Sequence, residues 1–143
     1  MKKYVIAITL AIIALFPIFP IGEASSIPLY PKGSPEELYQ DIFITMLGPS
    51  IEKAVHHYYS DILTTSPHVY PYEVKVIKAE RIGGYRKFGF TVVLMVSPVI
   101  GPHIGVGQDQ LTFSISPGKT RLIKYEHLRT EELPPHWQHI IKY

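Results

Sequence analysis

The sequence predicts a single α+β domain: two N-terminal helices packed on a four-stranded antiparallel meander sheet, followed by a short C-terminal helix. Three observations lead there. Helix-start residues and apolar residues spaced three and four apart occupy positions 34–62, the period falls to two from Tyr72 onward, and short connections join the apolar runs. A chain of 143 residues with 46% hydrophobic residues has room for one packed core, and its composition excludes wholesale disorder.

The first helix opens at Ser34-Pro35-Glu36-Glu37. Ser34 suits an N-cap, Pro35 the first helical position, and the two carboxylates the positive end of the helix dipole. The apolar stripe is read as Leu38, Ile42, Thr45 and Met46, with Tyr39 and Phe43 beside it, as far as Leu47. Gly48-Pro49 interrupts the pattern. A second helix is expected from Pro49 to about Asp61, with Ile51, Ala54, Val55, Tyr58 and Ile62 inward; one kinked helix is the alternative.

Tyr72 to Ile82 reads as the first strand, with a bulge at Val76-Ile77 and a hairpin signal at Gly83-Gly84. Phe88, Phe90, Val92, Leu94 and Val96 alternate clearly, and the apolar or neutral residues between them predict cover on both faces. Pro98 to Gly107 reads as a Gly-rich loop. Leu111, Phe113 and Ile115 mark a third strand. Arg121 to His127 is a fourth, with Ile123 and Tyr125 inward. Trp137, Ile140 and Ile141 suggest the short terminal helix. Sheets of cystatin-like or nuclear-transport-factor-like folds curve around a helix in this manner, which makes a helix-sheet pocket a fold-level expectation.

The first 24 residues read as an export signal. Lys2 and Lys3 precede 13 uncharged residues, Tyr4 to Phe16, then Pro17, Pro20 and the small residues of Gly22-Glu23-Ala24. A retained membrane anchor is the alternative, although a span needs roughly 20 apolar residues. The expected organisation is a signal at 1–24, a linker at 25–33, an α+β domain at 34–129 and a tail at 130–143. Cleavage removes Lys2, Lys3 and Glu23, leaving a net charge of +1 on a chain that starts at +2. With basic residues so scattered and so balanced, no nucleic-acid footprint is present. The absence of Cys excludes disulfides, thiol catalysis and Cys-ligated zinc. The membrane enters only through the signal before cleavage. The product is secreted or associated with the cell wall.

Seven histidines raise the question of a metal, but His136-x-x-His139 has no acidic residue between its members and lacks the metalloprotease pattern. No metal ligand or cofactor is assigned. Glu52 and His56 share a helix face, the arrangement of an oriented general base and equally of an ordinary surface pair. Tyr39 and Tyr59 fall near them. Gly101-Pro102-His103 sits in the one long Gly-rich connection, where recognition residues gather. No Gly-x-Ser-x-Gly elbow is present and no Ser stands beside an evident base. No catalytic residue is assigned.

The run Glu37-Leu38-Tyr39-Gln40-Asp41-Ile42-Phe43-Ile44-Thr45-Met46-Leu47 leads on to Pro49, Ile51-Glu52-Lys53-Ala54-Val55 and Tyr58-Tyr59. With Tyr72 to Val76, Gly101-Pro102-His103 and Asp109 to Ile115, it resembles a family of small exported proteins of Bacillus-type spore formers, catalogued as domain of unknown function 3888. The resemblance covers residues 34 to 128, with a longer tail after Leu128. It implies export and no assigned activity. The leading expectation is a binding or accessory module for a peptide, wall fragment or protein ligand, using Tyr39, Glu52, His56, Tyr59 and His103. The alternative is a small hydrolase or isomerase with a helix-sheet pocket, His56 as base and Glu52 as its orienter.

Overall fold

A computed structural model describes residues 30–143. The stretch read as an export signal, and most of the expected linker, lie outside the described residues. Among the described residues one helix, α1 (Pro35–Tyr59), precedes six strands: β1 (Val74–Ile82), β2 (Gly89–Val96), β3 (Val99–Ile100), β4 (Ile104–Gly105), β5 (Gly107–Ser116) and β6 (Lys119–Thr130). A 3-10 turn at Pro71–Glu73 leads into β1, and another at Pro135–Ile140 stands where the terminal helix was expected. The main sheet is antiparallel in the order β1-β2-β5-β6, with β3 and β4 forming a separate small hairpin. The expected meander is therefore present, but the Gly-rich loop carries its own two-stranded unit, anchored by buried Val99, Ile100 and Val106. Among the described residues no helix is long and apolar enough to cross a membrane.

The two expected helices are one. Ser34 Oγ accepts from the Glu37 amide at 3.2 Å, and Pro35 begins the helix as expected. Pro49 then sits inside it. Proline disfavours helical backbone at the residue before it partly through that residue's Cβ. That residue is Gly48, which has no Cβ and no obstructing neighbours, and so the helix continues.

Continuity changes which face is buried. Ile51, Ala54, Val55 and Tyr59 set the inward phase, and carrying it back through Pro49 at 3.6 residues per turn buries Leu47 and Ile44. Leu38, Ile42 and Met46 then fall on the opposite side and are exposed. The stripe read from the sequence in the first half of the helix is thus the outer one.

The core joins α1 to one sheet face through Val92, Leu94, Val96, Leu111 and Phe113. On β2 the alternate residues Thr91, Val93 and Met95 are only half-buried, so the second face is partly open rather than covered. Three bulges adjust the register. The first skips Ile77, as the sequence anticipated, and returns Ala79 to the side of Val76. The second passes over Ile123 between the pairs Thr112–Lys124 and Phe113–Leu122; as the extra residue Ile123 is half-exposed, and Leu122 takes the place opposite Phe113. The third passes over Leu128 and sets His127 opposite Asp109.

The tail is held. Leu133 and Ile140 are buried, Leu63 bridges Ile141, and the Thr64 and Lys142 amides donate to Ile140 and Ile62 carbonyls at 2.8 Å each. The Trp137 ring lies over Gly101, where a Cβ would sit 2.6 Å from it.

Candidate functional site

The five residues chosen from the sequence fall in four places. Tyr39 lines a groove, Glu52 and His56 form a cluster with His68, Tyr59 binds Asp109, and His103 joins Tyr70 and Tyr72. Among the described residues no hydrogen bond or ion pair joins Tyr39, Tyr59 or His103 to Glu52 or His56.

The groove follows from the helix leaving the sheet. No residue of α1 before Ile44 is buried, and the outer ends of the strands stay uncovered beneath it. The opening holds about 750 Å³, within the range of ligand pockets. Phe43, Val76, Phe90, Val92 and Ile115 give it an apolar lining, with Glu36, Tyr39 and Gln40 as the polar groups of the helix side. Ala79 reaches it only because the Ile77 bulge restores the strand's phase. The Arg81 guanidinium lies 4.8 Å from the Phe90 ring centre. Glu52 and His56 do not line this groove.

Glu52 and His56 lie one helical turn apart, and His56 Nε2 is 2.9 Å from Glu52 Oε2. Both atoms are buried and neither makes a hydrogen bond, so their close approach lacks hydrogen-bond geometry. His68 Nδ1 stands 3.9 Å from the same carboxylate oxygen. The other oxygen, Oε1, accepts from the Val69 amide at 2.8 Å.

His103 occupies the β3–β4 turn with φ 63°, a conformation rare for a side-chain-bearing residue. Its Nδ1 shares a hydrogen bond with the Tyr72 hydroxyl at 3.1 Å, and its ring tilts against Tyr70 at 4.9 Å. Tyr70 and Tyr72 stack within 2° of parallel.

The fourth place is the most buried. Asp109 has no exposed surface. The Tyr59 hydroxyl donates to its Oδ2 at 3.1 Å, and His127 Nδ1 lies 2.6 Å from its Oδ1. A carboxylate only accepts, so Nδ1 carries the proton; in the neutral ring Nε2 then accepts from the Thr130 hydroxyl at 2.7 Å. Hydroxyl, imidazole and carboxylate stand in the order of a nucleophile, its base and an orienting group. The same order also leaves a buried charge fully paired, and Tyr58 covers the imidazole by stacking at 5.2 Å. The sequence did carry a signal for this group: Asp109 has the parity of Leu111, Phe113 and Ile115, and so belongs on the inward face of β5.

Burial, and then the Asp109 charge, push the Tyr59 and Tyr125 hydroxyls far above the ordinary value of 10.0. The stabilisation they confer is fully present below that ordinary value. It is lost as pH rises above it, because the unfolded chain releases these protons first. We expect native-state tyrosinate absorbance to omit both groups near pH 10, with stability falling steeply above about pH 10. Tyr59→Phe should remove part of the unfolding-linked signal. Full titration of all tyrosines in the folded protein near pH 10 would contradict the assignment.

A family model described as a protein of unknown function (DUF3888) matches residues 39–129. No curated protein matches the chain, and no solved structure does.

Proposed function

We propose, for a chain that belongs to the DUF3888 family, an exported binding module that takes an extended peptide segment into the groove between α1 and the sheet. The observation that carries this reading is the position of the groove beside β1. β1 is an edge strand, paired only with β2, and its Val76 and Ala79 line the opening. Edge strands present unpaired backbone donors and acceptors, and peptide recognition uses them together with side-chain pockets. A peptide laid along β1 would place an apolar side chain against Phe43 and Phe90.

Export is supported by the two lysines, the uncharged run and the small residues that open the sequence, and the destination is the medium or the cell wall. By fold analogy, cystatin-like and nuclear-transport-factor-like sheets hold ligands between helix and sheet, which supports the same reading.

The test is calorimetric titration of the purified chain with short peptides bearing Leu, Phe or Tyr at alternate positions. Saturable one-to-one binding is expected. Ala79→Phe should weaken it at least about tenfold, about 1.4 kcal/mol, by filling the groove. Ala79 is exposed, so the substitution leaves the core alone. Equal affinity in the variant, or no binding by any peptide of the set, would remove this reading.

A further inference from the structure

We infer that Glu52, His56 and His68 form a binding site for one divalent transition-metal ion of the zinc class. One imidazole nitrogen each of His56 and His68 and a carboxylate oxygen of Glu52 all lie within 4.8 Å of one another. In a tetrahedral zinc site with bonds near 2.0–2.1 Å, neighbouring ligand atoms stand about 3.3 Å apart. The observed separations of 2.9 Å and 3.9 Å from Glu52 Oε2 bracket that spacing. Small side-chain rotations would equalise them around a single ion.

Two features set this cluster apart from an ordinary surface pair. First, Glu52 Oε2 and His56 Nε2 are buried atoms without hydrogen-bond partners, although they face each other closely. Polar atoms in that condition are costly, and a shared cation satisfies both lone pairs at once. Second, the donors are held in place. Glu52 Oε1 accepts from the Val69 amide, which orients the carboxylate and leaves Oε2 for a metal, as outer hydrogen bonds do in metal sites. The same segment supplies His68. Its backbone is fixed by a reciprocal pair of hydrogen bonds with Val99, at 2.8 Å and 2.9 Å, and follows the fully buried Pro67.

Two imidazoles and a carboxylate favour zinc-like ions over calcium or magnesium, which prefer all-oxygen sets. Three protein ligands leave a fourth position for water or for an atom of a bound partner. His68 is exposed, so that position faces solvent. The site is separate from the groove, and its test does not depend on peptide binding.

The experiment is calorimetric titration of the metal-free chain with Zn²⁺ alone, joined to X-ray absorption at the zinc edge. One equivalent should bind, with nitrogen and oxygen neighbours at 2.0–2.2 Å. His68→Ala should lower the affinity at least about tenfold, and Glu52→Gln should do the same. His68 is exposed and its backbone bridge does not involve the side chain, so the variant should remain folded by circular dichroism. His136→Ala combined with His139→Ala should leave binding unchanged. Absence of stoichiometric binding, undiminished affinity in His68→Ala, or loss confined to the His136 and His139 variant would each overturn the assignment.

Discussion

Asp109→Ala is expected to lower folding stability by about 3–5 kcal/mol, the range seen when one partner of a buried ion or hydrogen-bond network is removed. The carboxylate accepts from both Tyr59 and His127, and alanine leaves these two donors facing a cavity. Urea unfolding measures the change as a lower midpoint with an unchanged slope. Asp109→Asn separates shape from charge. It keeps an acceptor for Tyr59 and should cost less, about 1–3 kcal/mol. If Asp109→Ala proved as stable as the parent, the group around Asp109 would not organise the core.

Gly107→Ala should cost about 2–4 kcal/mol through overpacking and a lost hydrogen bond. A Cβ at this position would lie 2.5 Å from the Tyr59 hydroxyl, 2.7 Å from the Arg129 carbonyl and 3.0 Å from the His127 ring. The carbonyl belongs to β6, which pairs with β5 along its length, so it cannot retreat alone. Tyr59 can move only by giving up Asp109. The glycine is therefore required by close approach rather than by its own backbone angle. Unfolding of the double variant Gly107→Ala with Tyr59→Phe provides the check: part of the penalty should disappear once the hydroxyl is gone. Equal penalties with and without that hydroxyl would place the clash elsewhere.

The strands were legible because their signals are local. Alternation from Phe88 to Val96 marks β2 to within a residue, that from Leu111 to Ile115 marks the second half of β5, and the Ile77 bulge is visible as two adjacent apolar residues. The helix was legible in its cap but not in its length. Gly-Pro is normally a break, and only the missing Cβ of Gly48 together with the downstream packing of Ile51 and Val55 carries the helix through it.

The sites were the least legible part. Tyr59 meets Asp109 across 50 residues of chain, and His127 comes opposite Asp109 through a bulge at Leu128 that no local pattern announces. Glu52 and His56 were visible as a helical pair, whereas His68 returns to them from a loop whose path is set by its bridge to Val99. His103 reads as a recognition residue in a Gly-rich loop, and the turn that carries it is anchored by a buried hairpin and sets it against Tyr70 and Tyr72.

The contact between Trp137 and Gly101 gives the molecule a built-in optical reporter. Trp137 is the single tryptophan of the chain, and its indole rests on the β3–β4 turn. Its emission colour therefore registers whether the last dozen residues are seated, independently of the rest of the domain. Detachment of that segment would redden the fluorescence before the sheet gave way, so one cuvette measurement can follow the end of the polypeptide while dichroism follows the remainder.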